Sequence, residues 1–249
     1  MSKLLGHQFK IKVAPQKALG YILYDGPSML NGAPIVAVLT LKTSNRKTGD
    51  MAQVWILDAG SLNPVEVSKA KLDASICGSC VHRQSAGGSC YVNIGQAPLA
   101  VYRAYKRGRY VTYDPSIHSQ QLATRRVRLG AYGDPAAVPF EILKGITDAA
   151  LGHTGYTHQG SHKGFDPRYT DICMISADSP KQAAKWQAKG AYTFRVAMAG
   201  DSLADNELEC LADSKGLTCS DCGKCNGKQG NIAITVHGSR ASKFKSAML

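Results

Sequence analysis

A chain of 249 residues, 44% of them hydrophobic, can form one sizeable core or a main domain with a small appendage. Its 30 Lys+Arg against 18 Asp+Glu give a formal net charge of +12, spread unevenly: residues 101–128 hold Arg103, Lys106, Arg107, Arg109, Arg125, Arg126 and Arg128 against the single acid Asp114. The longest apolar run, Pro34–Leu41, is too short to cross a bilayer, and the opening MSKLLGHQFKIK lacks the apolar stretch and cleavage site of a secretory signal, so no membrane partner and a cytoplasmic location are expected.

The first 60 residues are strand-rich: Ala33–Lys42 and Ala52–Asp58, separated by a loop holding Gly49-Asp50, predict a hairpin. Residues 61–125 carry turn chemistry, a first group of cysteines and a basic helix. That helix is predicted over Gln96–Arg107, with Pro98 in its first turn and Gly108 closing it. From 126 to 238 the pattern is more regular. Arg126–Tyr132 predicts a strand, and Asp134-Pro135 opens a helix over Ala136–Leu151. A strand follows at Gly155–His158 and another at Asp171–Ala177. Ser179-Pro180 then starts a helix running to Lys189, with Gly190 as its terminator. Tyr192–Ala199 and Asn231–His237 are the last strands, and residues 239–249 form a basic tail expected to fray or meet a partner. Strands alternating with capped helices predict an α/β fold of parallel βαβ units, a partial barrel or an open sheet, in a single domain.

In such folds ligands sit at the carboxyl ends of the strands. The polar residues there are Asp134, Tyr156, Thr157, His158, Ser176, Asp178, Asp201 and His237, so a shared site is expected although each taken singly reads as a cap or a buried, hydrogen-bonded group. Asp134, His158, Asp178 and His237 are the candidate catalytic residues, able to move protons; Tyr156 and Arg195 are the candidate substrate contacts, Arg195 as an anchor for an anionic group.

Eight cysteines in a cytosolic chain point to metal ligands more than to disulfides; four bridges are the alternative if the chain is secreted. Cys219, Cys222 and Cys225 follow one another at two-residue gaps, with Cys210 as the nearest fourth ligand, a spacing suited to wrapping a cuboidal 4Fe-4S cluster. Zinc is the alternative, though it more often uses two separate Cys-x2-Cys pairs. The earlier group is Cys77, Cys80 and Cys90, with His82 between them as a further candidate ligand. Spacing leaves open whether this group holds a second cluster or shares one with the later cysteines. Cys173, in the middle of a strand, reads as a core residue.

Several short motifs, in order, resemble the phage and mobile-element family called gene product 88: Cys90-Tyr91, Arg128–Asp134, Tyr156-Thr157-His158, Ser176–Asp178, and the final cysteine triple followed by His237. The resemblance covers most of residues 75–238 and implies a cysteine-ligated cluster and a phage or plasmid origin, hence a host-cell cytoplasm, without implying a settled activity. Cys77, Cys80 and Cys90 with Tyr91 and Gly133-Asp134-Pro135 are also distantly similar, at the level of fold, to radical S-adenosylmethionine enzymes, which would add S-adenosylmethionine as a cofactor; the compact triplet spacing of that family is absent, and Asp stands for its Glu. The expectation is therefore a redox or radical enzyme. Two alternatives stand beside it. One is a nucleic-acid-binding accessory protein with a structural metal, using the tyrosines and cations of 101–128 for nucleic acid or an anionic small molecule. The other is a simple electron carrier. No Gly-x-Ser-x-Gly elbow, phosphate loop or Gly-x-Gly-x-x-Gly after a strand is present.

Overall fold

The computed structural model describes Leu19–Gly238 and Arg240–Phe244. Eleven strands lie in chain order: β1 Gly20–Pro27, β2 Pro34–Thr40, β3 Ala52–Asp58, β4 Val111–Thr112, β5 Arg126–Tyr132, β6 Gly152–Thr154, β7 Tyr156–Thr157, β8 Met174–Ala177, β9 Thr193–Ala197, β10 Glu207–Glu209 and β11 Asn231–Thr235. They form a six-stranded sheet, ordered β4-β1-β2-β3-β5-β6, and a five-stranded one, ordered β10-β11-β9-β8-β7. The first sheet is mixed: β1, β2 and β3 pair antiparallel, while β4, β5 and β6 join in parallel. Every pairing in the second is parallel.

Only Gly155 separates β6 from β7, so one bent stretch of chain ends the first sheet and begins the second. A side chain there would collide with the Ile172 carbonyl and the Cys173 sulfur, which is why the bend takes glycine. The expected hairpin is present as β2 and β3, whose alternating runs are buried on both faces. Most of the core lies on the first sheet, built from Ile35, Val38, Leu39, Val54, Ile56, Val127, Leu129, Leu143 and their neighbours. Cys173 is wholly buried within it.

The α/β class, the parallel units and the open rather than closed sheets agree with the sequence reading. Two expectations fail. The helix expected to run from Ala136 begins instead at Phe140, because Pro139 stays extended (φ −55, ψ 133); the preceding Pro135–Ala137 forms only a short 3-10 turn capped by the Asp134 side chain. Nor is the segment after Gly238 frayed where it is described: Arg240 donates through Nε and an Nη to the Gly88 carbonyl at 3.0 and 2.7 Å, and Phe244 is buried. Residues 245–249 lie outside the described residues. Among the described residues no helix is long and apolar enough to cross a membrane.

Candidate metal centres at the strand ends

β7 and β8 run parallel and end at His158 and Asp178, and the turn after β5 brings Asp134 against them, its carboxylate bonded to Thr157 and His158, so the three meet at one edge as expected from the strand-end pattern. The first cysteine loop lies across this edge. Asp134 organises the contact. One of its oxygens accepts from the Ala136 N–H (3.0 Å) and the Thr157 hydroxyl (2.7 Å), the other from the His158 N–H (2.8 Å) and the Gln159 amide (3.3 Å). Gln159 in turn donates to the Cys77 carbonyl and accepts from the Ser79 N–H, and the Asp134 N–H donates to the Ile76 carbonyl. Burial raises the Asp134 carboxyl, and these donors pull it back toward the charged form. Expected as a proton-moving group, Asp134 is buried with both oxygens engaged; it fixes the loop rather than facing a cavity.

His158 and Asp178 do face cavities, and His82 from the cysteine loop joins them. His82 Nε2 lies 2.7 Å and His158 Nε2 3.2 Å from the same oxygen of Asp178. Burial alone would raise the Asp178 carboxyl, but the hydrogen bonds and charges of the two imidazoles hold it well below the usual range. His158 shows the converse: burial disfavours its charge, yet Cys80 and Asp178 raise it well above an ordinary histidine. A cavity of about 800 Å³ is lined by His82, Gly88, Ser89, Asp178 and Lys243, and a second of about 280 Å³ by Cys80, His158, Asp178 and Trp186.

Cys77, Cys80 and Cys90 adjoin this edge. Burial pushes the Cys77 thiol well up, and the nearby Cys80, Asp73, Cys90 and Asp134 push it further; Cys90 is raised first by burial and also by Cys80. The later cysteines gather elsewhere. Cys210 follows β10, and Cys219 starts the short helix Cys219–Cys222, whose capping box is made by Thr218 and Asp221. Backbone bonds from Cys219 and Ser220 to the Lys47 and Thr48 carbonyls pin that helix, and the Cys225 carbonyl accepts from Gly155. Burial raises Cys225 to about 12, with Cys210, Cys219 and Cys222 adding to the effect while the Tyr156 hydroxyl opposes it. Cys80 is the thiol that acts most on Cys90, and Cys210, Cys219 and Cys222 are those that act on Cys225, so each sequence group has its own thiol neighbourhood. All eight cysteines are free.

The basic stretch serves this second neighbourhood. Val127 and Leu129 of β5 enter the core, which turns Arg126 and Arg128 to the other face. Arg126 stands against Gly223, where a Cβ would meet its guanidinium at 2.5 Å. Arg128 donates to the Tyr91 hydroxyl (3.3 Å) and lies over the Tyr156 ring. Burial opposes the Arg128 charge, but Tyr91, Tyr156 and Cys219 more than restore it. Among the described residues its Nε, like that of Arg83, is a buried donor without an acceptor. Of the tyrosines expected to stack on bases, Tyr102 and Tyr110 are buried, Tyr102 bonds the Gly60 carbonyl and Tyr105 bonds Asp25, while Tyr113 is half-buried with no hydroxyl partner among the described residues.

The remaining candidates are dispersed. Tyr156 lies beside Cys225, with the Arg128 guanidinium over its ring. His237 sits apart from the histidine pair, 3.1 Å from Lys47 Nζ and near the Tyr91 ring. Arg195 is the clear correction. It forms a two-point pair with Glu207 (2.7 and 2.6 Å) at 2% and 1% side-chain exposure, so its charge is already satisfied inside the protein and it cannot anchor a substrate. Sequence reading took Arg126 and Arg128 only as part of the basic stretch and not as neighbours of the later cysteines; their place two apart on a strand whose other face is apolar was the available signal. Comparison of the chain with family models, with curated proteins and with solved structures finds no match in any of the three.

Proposed function

We propose that this protein carries iron–sulfur clusters at both cysteine neighbourhoods and acts as a redox or radical-type enzyme of the kind found on phages and other mobile elements. The observation that carries the reading is that Cys77, Cys80 and Cys90 lie near one another, as do Cys210, Cys219, Cys222 and Cys225, each set supplied by one short stretch of chain. Thiols placed together in unpaired form suit metal ligation, since bound metal removes the cost of the buried thiolates.

The donor sets fit clusters better than single zinc ions. Four sulfurs on one zinc, each about 2.3 Å from it, lie about 3.8 Å apart. Among the described residues no three cysteine sulfurs lie within 4.8 Å of one another; only His82, His158 and Asp178 meet that spacing. A cuboidal cluster spreads its thiolates wider, because each binds a different iron. The orphaned Nε of Arg128 supports the same fit, as cluster sulfur accepts hydrogen bonds from nearby donors.

When bound, such clusters supply single electrons, and one held by three thiolates leaves an iron free for an outside ligand. Cys210, Cys219, Cys222 and Cys225 would hold one cluster, with Arg126 and Arg128 offsetting its negative charge. Cys77, Cys80 and Cys90 would hold the other beside the cavities, where a substrate would bind. The motifs shared with gene product 88 proteins support the origin, and S-adenosylmethionine is the cofactor to test first at the three-cysteine site.

Anaerobic purification followed by iron and sulfide analysis tests the reading. The expected result is a brown protein with broad absorbance near ~400 nm and about eight irons and eight sulfides per chain. Cys219→Ser with Cys222→Ser, or Cys77→Ser with Cys80→Ser, should each remove about half. A colourless protein holding zinc on its cysteines would overturn it.

A further inference from the structure

We infer that His82, His158 and Asp178 form a mononuclear site for a divalent first-row metal, zinc or ferrous iron, with no cysteine among its ligands although Cys80 lies beside His158. Three parts of the fold supply the donors: His82 the first cysteine loop, His158 the end of β7 and Asp178 the end of β8. Their ligand atoms all lie within 4.8 Å of one another. Two donors about 2.0–2.1 Å from one ion, at tetrahedral or right angles, stand about 2.8–3.4 Å apart. The two imidazole nitrogens stand 2.7 and 3.2 Å from the shared carboxylate oxygen, close to that spacing.

The surroundings hold the donors as a metal site requires. Ser89 Oγ lies 2.8 Å from His82 Nδ1, an outer partner that turns Nε2 toward Asp178. Phe244 stacks on the same ring, with centroids 5.5 Å apart and planes 14° from parallel. The Asp134 carboxylate fixes His158 through its backbone N–H. Side-chain exposures of 10%, 24% and 12% for His82, His158 and Asp178 leave the trio largely shielded but not sealed. Its open side meets the cavity of about 800 Å³ that reaches Lys243. Two histidines and one carboxylate with vacant positions toward a cavity are the donor set of zinc hydrolytic and non-haem ferrous sites. The vacant positions would take water or an oxygen donor of an anionic ligand, with Lys243 beside it.

The test loads the full anaerobically purified chain with one equivalent of Zn(II) and reads the zinc X-ray absorption edge, which iron does not obscure. A nitrogen/oxygen shell at about 2.0–2.1 Å with no sulfur is expected. Zinc affinity should fall at least tenfold in His82→Ala and in Asp178→Asn. The second variant keeps a hydrogen-bond acceptor between the rings and so separates metal ligation from a plain hydrogen-bonded trio. Fe(II) competition under argon then ranks the two ions. Absence of bound zinc, or unchanged affinity in Asp178→Asn, overturns the site. A sulfur shell at about 2.3 Å also overturns it, and places the zinc on cysteines, a separate failure that bears on the cluster reading instead.

Discussion

Replacing Arg195 by methionine leaves the Glu207 carboxylate in a site where its side chain is 1% exposed, with the Ala204 N–H as its one remaining donor. Breaking a buried ion pair from one side costs about 3–5 kcal/mol, because the abandoned charge has neither water nor partner. For a domain of this size each kcal/mol moves the melting temperature by about 2–4 °C, so a fall of about 6–20 °C is expected. Arg195→Met with Glu207→Leu removes both charges and should recover much of that loss. The pH dependence gives the sign. In the intact protein burial pushes the Glu207 carboxyl up, but Arg195 and Ala204 bring it below its ordinary value. The stabilisation is therefore complete above the unfolded value and lost as pH falls through the depressed one. In Arg195→Met burial acts without the partner and the carboxyl rises, so this variant should gain stability as pH drops from neutral toward ~5 while the parent does not. Thermal melts by circular dichroism across that range check both. A single variant melting within ~3 °C of the parent, or a double variant less stable than the single, would refute the buried-pair reasoning and restore Arg195 as an available cation.

Asp134→Ala removes the acceptor from two buried backbone N–H groups, at about 1–3 kcal/mol each, and from Thr157 and Gln159. A stability loss of about 2–6 kcal/mol in urea melts is expected, with iron lost from the Cys77 neighbourhood before the Cys225 one. Gly133→Ala meets a φ of 81° and a Cβ 2.7 Å from that of Ile56, whereas Gly190→Ala meets a φ of 82° with nothing within 4 Å. Both should carry the left-handed penalty of about 1–2 kcal/mol, and Gly133→Ala should be the more destabilised in the same melts by the added clash.

Much of the framework was legible in the chain itself, because it rests on local signals. Arg126–Tyr132 matches β5 as expected, and the Ser179 cap with Pro180 starts a helix at that proline. Both follow from side-chain alternation and from residues that satisfy backbone donors within a few positions. The convergence of His158 and Asp178 was legible as well, since neighbouring parallel strands end on one edge whatever the loops do, while Asp134 reaches them from the end of a strand in the other sheet. Burial and partnership were not, for they depend on what a distant segment brings. Arg195 reads as a free cation until Glu207, twelve residues on, closes over it, and His82 reads as a cysteine-loop residue until the fold sets it beside Asp178. Whether the cysteines serve one centre or two is likewise a question of distance through space, which their spacing in the chain leaves open. Local chemistry writes the elements and their ends; only packing assigns each charged or ligating side chain its neighbour, because that energy comes from groups far apart in sequence.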